Sequence, residues 1–235
     1  MNLLAFDTST ERMSVAVQVL RDGSITCWQH EGEGGAQTSA HLIPSIQALM
    51  VQAGLGFEQL DAIVFGCGPG SFTGLRTACA VAQGLAWGAE VPVLPVDTLL
   101  ALAEQARFDH APEALSCRVL ALLDARMDEL YVGGYAFSQG LWQQTRAPAL
   151  FRPEQVSADT HHLMAGNVPD ASITRLPAGI GRPVPALPTA SALLRLAPAL
   201  LAAGGARAAE QALPIYVRDQ VAKTTLERAA EKAAL

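Results

Sequence analysis

A glycine-rich stretch, Gly66 to Arg76, follows the apolar run Ala62 to Phe65 and precedes a long helical pattern. A strand, a glycine loop and a helix in this order direct backbone N–H groups towards whatever lies above the sheet edge. Pro69 fixes one φ angle, the glycines permit φ angles closed to other residues, and Ser71 is suited to cap the helix. Such a loop suits an oxyanion or a closely approaching backbone, and it is also consistent with a plain strand-to-helix turn.

The loop differs from the common phosphate and nucleophile motifs. A P-loop needs Lys and then Ser or Thr directly after its last glycine, whereas Leu75 follows Gly74. In the dinucleotide fingerprint counted from Gly68, the sixth position is Thr73 rather than glycine. The stretch Gly70 to Gly74 has no serine at its centre, so it is not a nucleophile elbow.

A second polar group, Asp7-Thr8-Ser9-Thr10, follows the first apolar segment. A carboxylate at such a turn can hold hydrated magnesium, and the hydroxyls can contact phosphates. The same residues also form ordinary hydrogen-bonded turns. If the two loops bind a nucleotide, the predicted contacts are Asp7, Thr8, Ser9, Gly68, Gly70 and Ser71.

The histidines and cysteines form no recognisable metal or catalytic set. His41 has Gln37 one helical turn earlier, so the i, i+4 pair that chelates zinc is missing. Adjacent His161 and His162 point to opposite faces if they lie on a strand. The four cysteines contain no CxxC pair, so neither a zinc site nor a disulfide framework is predicted. Cys67, in the glycine loop, is the thiol to test for reactivity.

Composition excludes several classes of protein. The 235 residues are 50% hydrophobic but only 6% aromatic, and no apolar run approaches the ~20 residues of a membrane span. The chain enters a strand pattern at once, without signal-peptide features, so the cytoplasm is expected. A formal charge of −6 disfavours autonomous nucleic-acid binding, which depends on basic side chains. A role on RNA therefore needs a basic partner.

The first half of the chain predicts a three-strand meander and then helices. The predicted strands are Leu3 to Phe6, Ser14 to Val19 and Ser24 to Trp28. The next helix is indicated by apolar residues recurring every three or four positions from Leu42 to Ala53, with Pro44 near its start or kinking it. The helix that opens at Ser71 carries a stripe of small residues at four-residue intervals: Gly74, Ala78, Ala82 and Ala86. Such a stripe permits a neighbouring backbone to approach closely, and spacing alone favours packing within the chain.

The second half echoes the first. The segment Val119 to Asp124, a polar turn and the segment Glu129 to Val132 resemble Leu3 to Asp7 and the strand after it. The two strand-ending aspartates lie about half the chain apart, which favours two related α/β lobes. The predicted domains are residues 1–105 and 106–219, with 220–235 as a surface helix or disordered tail.

With these motifs in place, the chain closely resembles the TsaB (YeaZ) family over nearly its whole length. The most specific shared motif is the nine-residue stretch Gly68 to Arg76. The other shared segments are Ala5 to Thr10, Leu42 to Pro44, Leu60 to Ile63, Leu123 to Arg126 and Pro214 to Arg218. The resemblance implies an α/β, two-lobed, actin-like and RNase H-related fold.

The resemblance also implies a supporting role in making threonylcarbamoyladenosine, the modified adenosine beside the anticodon of tRNAs that read codons starting with A. In the family, TsaB pairs through its first lobe with its paralogue TsaD, which transfers the threonylcarbamoyl group, and TsaE, a P-loop ATPase, joins them. ATP and magnesium are then used by the assembly, no cofactor is assigned to this chain, and tRNA is reached only through the complex. Homodimerisation is expected when the partner is absent.

Two further expectations follow from the resemblance. The catalytic paralogue carries an HxxxH metal motif, and Thr98 and Leu102 stand at the matching positions here, so no metal and no unaided transfer are expected. Family members build a helical bundle with TsaD from two first-lobe helices. The interface residues predicted on that basis are Leu42, Ile46, Leu49, Gly74, Ala78 and Ala82.

Two enzymatic alternatives remain open at this point. A free-standing actin-like ATPase or kinase is suggested by Asp7, Thr8 and the glycine loop. A glycoprotease-type peptidase is the weaker alternative, because the sequence has neither a metal pair nor a nucleophile constellation.

Overall fold

The computed structural model describes residues 1–157 and 161–218, and in these residues the chain forms two five-stranded mixed sheets. The first sheet has the spatial order β3-β2-β1-β4-β5. Its strands are β1 (Leu3–Asp7), β2 (Arg12–Arg21), β3 (Ser24–Glu33), β4 (Ala62–Gly68) and β5 (Val93–Asp97). The helices in this part of the chain are α1 (Thr38–Ala53), α2 (Phe72–Ala89) and α3 (Thr98–His110).

The second sheet repeats the topology of the first, in the order β8-β7-β6-β9-β10. Its strands are β6 (Ser116–Asp124), β7 (Leu130–Ser138), β8 (Leu141–Phe151), β9 (Leu163–Gly166) and β10 (Arg182–Pro185), and its helices are α4 (Asp170–Ile173) and α5 (Ala190–Ala202). In each sheet the central strand pairs antiparallel with the next strand and parallel with a later one. The two related α/β lobes predicted from the internal echo are confirmed, as is the two-lobed, actin-like and RNase H-related fold that the family resemblance implies.

Local sequence explains the early elements. The meander turns at Asp22 and Gly23, which both have positive φ angles, 50° and 77°, as a tight hairpin between twisted strands requires. Pro44 lies inside α1 rather than at its start. The segment 176–188, which has no clear pattern, contains the short strand β10.

The core of the first lobe lies on both faces of its sheet. On one face, α1 and α2 cover the large side chains of β1, β2 and β4, and Leu42 and Ile46 are fully buried there with Phe6 and Phe65. On the other face, α5 covers Leu3 and the neighbouring residues. Because both faces of β1 and β4 are covered, their residues are apolar without alternation.

The predicted boundary between residues 105 and 106 is wrong, because it cuts α3, and the two lobes share their helices. In sequence α3 follows the first sheet, yet Leu102 and Ala106 pack in the core of the second. In sequence α5 follows the second sheet, yet Leu193 and Ala197 pack on the first. A boundary drawn from sequence assumes that each helix covers the sheet just before it, and here α3 and α5 contact each other between the two sheets.

A buried ionic group fixes this arrangement. Glu104 of α3 is 3% exposed and accepts hydrogen bonds from Arg107, from Arg195 of α5 and from Trp142 of β8, at 2.8–3.0 Å. Burial acts to raise the pKa of Glu104, but the hydrogen bonds from Arg107, Trp142 and Arg195 outweigh it and lower the pKa. The carboxylate is therefore charged and shared by both lobes.

Within residues 1–157 and 161–218, the helices lack the length and apolar character needed to cross a bilayer. The tail predicted at 220–235 lies outside the described residues.

Candidate functional site

The two candidate loops meet because β1 and β4 are neighbouring parallel strands, with Phe6 opposite Phe65. Parallel strands end at the same edge of a sheet, so the turn after Asp7 and the glycine loop after β4 lie together. In the second sheet, β6 and β9 end in the same way, at Asp124 and Gly166. The two sets of loops face each other across a cleft between the lobes.

The buried Asp7 side chain holds the first turn in place through hydrogen bonds with Ser9. Its Oδ1 accepts hydrogen bonds from the Ser9 N–H at 2.9 Å and the Ser9 hydroxyl at 2.6 Å. Its Oδ2 is buried and has no hydrogen-bond partner among the described residues. Burial raises the pKa of Asp7 to about 6, against the opposing effect of the two hydrogen bonds from Ser9. The side chain is 1% exposed and does not line the cleft.

The glycine loop packs tightly on the Asp7 turn. The Ser71 N–H donates to the Ser9 carbonyl oxygen at 2.7 Å, and the Thr8 hydroxyl donates to the Gly74 carbonyl oxygen at 2.8 Å. A Cβ at Gly70 would lie 2.6 Å from the Ser9 carbonyl oxygen, and one at Gly74 would overlap the Thr8 carbonyl oxygen. The sequence suggested that this loop accommodates either an oxyanion or a closely approaching backbone. In the structure, the backbone of the Asp7 turn is what approaches it.

Of the six residues predicted to contact a nucleotide, three line the interlobe cleft and three are buried beneath its surface. Ser9, Gly70 and Ser71 line the interlobe cleft, whereas Asp7, Thr8 and Gly68 lie beneath it. Thr8 is fully buried, so a bound phosphate or hydrated cation in the cleft would not touch its hydroxyl or the Asp7 carboxylate directly. Three of the six predicted contacts therefore line the cleft and three lie beneath it, and nucleotide binding at these loops stays a prediction.

The opposite wall of the cleft is the turn that follows Asp124. Asp124 Oδ1 accepts from the Arg126 N–H at 2.9 Å, and the two side chains form an ion pair at 3.1 Å. Three consecutive residues, Arg126, Met127 and Asp128, have φ angles between 55° and 61°, in the left-handed region that non-glycine residues rarely adopt. The cleft between the walls has a volume of ≈ 370 Å³.

Several polar groups that line the cleft are hydrogen-bonded within the chain. Asn167 of the second lobe donates to both carboxylate oxygens of Glu11 in the first lobe at 3.2 Å, and its Oδ1 accepts from the Asp124 N–H at 3.4 Å. The Thr10 hydroxyl accepts from the Arg12 N–H at 3.2 Å. The contact between Asn167 and Glu11 connects the two lobes.

Sequence reasoning missed the structural role of the closing segment Pro214 to Arg218, which we call the strap. The strap lines the cleft from Ile215 to Arg218 and connects the lobes. The Ile215 N–H donates to the Cys67 carbonyl oxygen at 2.7 Å, and a Cβ at Gly68, where φ is +119°, would lie 2.6 Å from the Ile215 carbonyl oxygen. Gly68 therefore has to be glycine because the strap crosses it.

The two ends of the strap hold different lobes. The Tyr216 hydroxyl accepts from Arg76 Nε of α2 at 2.9 Å. Arg218 forms an ion pair with Glu129 at 2.9 Å and donates to the Ala125 carbonyl oxygen at 2.9 Å. The only sequence signal was the match of this segment to the family, which indicated no role for it.

Thr98 and Leu102, which the family resemblance aligns with metal-binding histidines, have structural roles here. Thr98 Oγ1 accepts from the Gly68 N–H at 3.1 Å, which positions the start of the glycine loop. Leu102 is fully buried in the core of the second lobe. In residues 1–157 and 161–218, no three His, Cys, Asp or Glu side chains are grouped so as to hold a metal ion.

Comparisons with known proteins identify the family to which this chain belongs. The family model described as TsaD, tRNA N6-adenosine threonylcarbamoyltransferase, matches residues 33–233. The tRNA threonylcarbamoyladenosine biosynthesis protein TsaB of Escherichia coli (strain K12) is 32% identical over 231 residues, which covers 94% of this chain and 96% of that protein. The chain belongs to the TsaB (YeaZ) family.

Two further comparisons agree with membership of the TsaB (YeaZ) family. The TsaB protein of Haemophilus influenzae is 43% identical over 148 residues, covering 63% of this chain and 57% of its own. The solved structure of YeaZ from Pseudomonas aeruginosa is 39% identical, covers 92% of this chain and 99% of its own, and superposes with a TM-score of 0.79. The two-lobed architecture is therefore that of a solved family member.

In this member of the TsaB (YeaZ) family, the residues predicted for the partner interface from the family's helical bundle do not face solvent. All six predicted residues are buried in the first lobe: Leu42, Ile46, Leu49, Gly74, Ala78 and Ala82. The periodicity identified one face of each helix correctly, but that face packs on the sheet. The small size of Gly74, Ala78 and Ala82 lets α2 approach the sheet and the Asp7 turn.

The exposed faces of α1 and α2 in this TsaB-family chain carry different residues. On α2, a second row of small side chains faces solvent, and neither Gly84 nor Gly88 has an atom within 4 Å of where a Cβ would be. On α1, Val51 is 80% exposed, and at the end of α2 Trp87 is 69% exposed. An open groove of ≈ 470 Å³ runs beside α2 and is lined in part by Ala80.

Cys67, in the glycine loop of this TsaB-family chain, is predicted to be unreactive. Cys67 is 2% exposed, donates to the Val96 carbonyl oxygen at 3.2 Å, and has its pKa raised, chiefly by burial and then by the nearby Asp97. Cys27 is exposed. Because the thiolate is the nucleophile, iodoacetamide is expected to label Cys67 on the order of 100-fold more slowly than Cys27 in the native state. Peptide mass spectrometry measures both rates, with urea-unfolded chain as the control, and equal native rates would contradict the prediction.

Proposed function

We propose that this chain is a non-catalytic subunit in the biosynthesis of threonylcarbamoyladenosine in tRNA, and that it pairs with a catalytic TsaD paralogue. Membership of the TsaB (YeaZ) family supports the role in this tRNA modification, because the E. coli and H. influenzae relatives carry that biosynthetic description. In the proposed assembly, TsaE supplies ATP hydrolysis with magnesium, and tRNA is bound through the complex.

The observation that carries the proposal is an exposed helical face almost without charge. The 16 residues of α1 contain no Asp, Glu, Lys or Arg, and the 18 residues of α2 contain only Arg76. The whole chain has 22 acidic and 16 basic residues, so this stretch of surface is unusual for it. Surface helices normally carry charges on their solvent face, and charge depletion marks the centre of a protein interface.

The shape of this face suits another pair of helices. Exposed Gly84 and Gly88 remove side-chain bulk along α2, which permits a second helix to lie close to its backbone. Val51 and Trp87 supply exposed apolar area on either side. Aromatic and aliphatic anchors around a close helix crossing are the usual source of binding energy in such contacts.

Two features support a non-catalytic role. In the interlobe cleft, Asn167 is hydrogen-bonded to Glu11, and the glycine loop donates to the Asp7 turn rather than to an open anion site. Thr98 and Leu102, at the positions of the paralogue's histidines, position the glycine loop and fill the core. In the proposed assembly, the partner therefore supplies the groups that take part in the reaction.

A charge placed on this face is expected to weaken pairing with TsaD. Ala80 is exposed in the groove beside α2, and Ala80→Glu is expected to raise the dissociation constant about 30-fold, because a charge would be buried without a partner. Both residues are good helix formers, so the fold is expected to persist. The measurement is calorimetric titration with purified TsaD, together with circular dichroism.

Ala199→Glu is the matched control, because Ala199 lies on the exposed side of α5, away from α1 and α2. It is expected to bind TsaD with unchanged affinity. The functional readout is threonylcarbamoyladenosine formed on tRNA by TsaD, TsaE and the donor-forming enzyme, with and without this chain. No gain in modification when the chain is added, or equal binding by the two variants, would contradict the proposal.

A further inference from the structure

The exposed face of α2 carries one charged side chain, that of Arg76. It is the only Asp, Glu, Lys or Arg residue in the 16 residues of α1 and the 18 residues of α2. Residues four positions apart lie along one side of a helix, so Arg76 stands in a row with Ala80, Gly84 and Gly88, and all four are exposed. Arg76 therefore marks one end of a row that otherwise has little side-chain bulk and no charge.

Two aromatic side chains hold the guanidinium of Arg76 in place. Its Cζ lies 3.7 Å from the centre of the Phe72 ring, and its Nε donates to the Tyr216 hydroxyl at 2.9 Å. The two rings contact each other, with their centres 5.7 Å apart. Because Tyr216 belongs to the strap, the segment that crosses Gly68 also positions this side chain. An arginine held in this way loses little conformational freedom when it binds a partner.

The two outer nitrogen atoms of this guanidinium have no partner in the part of the chain that the structure describes. Within residues 1–157 and 161–218, Nη1 and Nη2 of Arg76 make no hydrogen bond, and no Asp or Glu side chain forms an ion pair with Arg76. A cation near the start of α2 does not favour the helix either, because the N-terminal end of a helix dipole is positive. Neither an ion pair among these residues nor the helix dipole therefore accounts for a cation at this position.

We infer that a TsaD helix lying on α1 and α2 carries an Asp or Glu side chain that pairs with Arg76 and fixes the register of the helices. The inference rests on the proposed pairing with TsaD. Arg76 lines the groove beside Ala80, so a helix laid along the row of small residues would cover the guanidinium. Taking a cation out of water is costly unless an anion replaces the water. The edge formed by Nη1 and Nη2 matches a carboxylate, which accepts two parallel hydrogen bonds.

The charge of this face selects a protein carboxylate over other anions and over a second copy. A nucleic-acid backbone is bound by several basic side chains acting together, and α1 and α2 supply only Arg76. A second copy of this chain would present the same two helices, which contain no Asp or Glu. A TsaD helix with one acidic residue in an otherwise uncharged surface is the complement of this face.

Cross-linking locates the carboxylate on TsaD. This chain contains only two lysines, Lys223 and Lys232, so Arg76→Lys adds one amine at a known position. With TsaD and a zero-length carbodiimide, the Arg76→Lys chain is expected to form an amide with one Asp or Glu of TsaD, which peptide mass spectrometry identifies. Ala199→Lys is the matched control, because Ala199 lies on the exposed side of α5, and no TsaD product is expected at that position.

Calorimetric titration with TsaD measures the contribution of the pair. Arg76→Gln is expected to raise the dissociation constant about 30-fold, because the partner's carboxylate would be buried without a cation. Arg118→Gln is the matched control, since Arg118 is exposed on β6 of the second lobe, and unchanged affinity is expected. Both variants are expected to keep the wild-type circular dichroism spectrum.

A charge exchange separates pairing from a structural role of Arg76 beside the strap. Arg76→Glu is expected to raise the dissociation constant about 100-fold, because two carboxylates would meet in the interface. Replacing the TsaD acid found by cross-linking with arginine is expected to restore most of this loss. A defect in the packing of Phe72 and Tyr216 would not be restored by a change in TsaD.

The possible failures are distinguishable. Equal TsaD affinity of the wild-type chain and Arg76→Gln would overturn the inference and leave the proposed function standing. A cross-link from the Arg76→Lys chain to Glu90 of a second copy, with none to TsaD, would also overturn it. So would an Arg76→Gln complex that keeps its TsaD affinity but binds tRNA more weakly, since the anion would then be a phosphate. Absence of TsaD binding by the wild-type chain would overturn the proposed function and the inference together.

Discussion

Replacing Gly74 with alanine is expected to destabilise this chain by about 3 kcal/mol. The new Cβ would overlap the carbonyl oxygen of Thr8, which belongs to the backbone of the Asp7 turn and cannot rotate away. Relief requires α2 to shift from the turn, and this shift would lengthen the hydrogen bond from the Thr8 hydroxyl to the Gly74 carbonyl oxygen. The loss therefore combines backbone strain with a weakened buried hydrogen bond.

Gly84→Ala provides a matched control on the same helix. A Cβ at Gly84 has no atom within 4 Å, so alanine there is expected to stabilise the chain by about 0.5–1 kcal/mol through helix propensity alone. Urea unfolding followed by circular dichroism gives both free energies of unfolding. Equal free energies of unfolding for Gly74→Ala and Gly84→Ala would contradict the prediction, because they would show that a Cβ beside the Thr8 carbonyl oxygen causes no loss of stability.

Asp7 is expected to make the folded state less stable as the pH rises. Its pKa is raised in the native state from 3.8 to about 6, so between these values the native chain binds more protons than the unfolded chain. The free energy of unfolding then falls with increasing pH across that window, by about 3 kcal/mol at pH 7, and is unaffected by this group below about pH 4. The cause is the desolvated Oδ2, which has no hydrogen-bond partner among the described residues.

Asp7→Asn isolates this contribution. The neutral amide keeps an oxygen that can accept from the Ser9 N–H and hydroxyl, but it does not titrate. Burial also raises the pKa of Asp97, and that effect cancels in the difference between the two proteins. Unfolding free energies of the wild-type and Asp7→Asn proteins are measured from pH 4 to pH 8. The difference between the two proteins should change with pH up to about pH 7 and stay constant above it. A difference independent of pH across the whole range would contradict a raised pKa at Asp7.

Much of the local structure followed from the sequence. Ser71 was predicted to cap the helix after the glycine loop, and its hydroxyl accepts from the Gly74 N–H at 3.5 Å. The aspartates at positions 7 and 124 were predicted to end equivalent strands, and each ends the central strand of its sheet. These features depend on residues close together in sequence, where turn chemistry and apolar periodicity act directly.

The sequence left the purpose of the glycine loop open, and the tertiary structure decided it. Gly70 and Gly74 would serve equally well beside a phosphate or beside a carbonyl oxygen, since both need an absent side chain. The oxygens that approach them belong to Ser9 and Thr8, more than sixty residues earlier in the chain. The register of β1 beside β4 brings these residues together, and a single-sequence pattern does not specify that register.

The sequence by itself determined that α2 has rows of small residues, that α1 and α2 are nearly uncharged, and that two similar lobes are present. Only the tertiary structure decided that Ala78 and Ala82 face the sheet while Ala80 and Gly84 face solvent. It also decided that α3 and α5 cover each other's sheets and that the strap crosses Gly68. The physical reason is that alanine and glycine are small enough for either side of a helix, so the packing partner, rather than the side chain, selects the face.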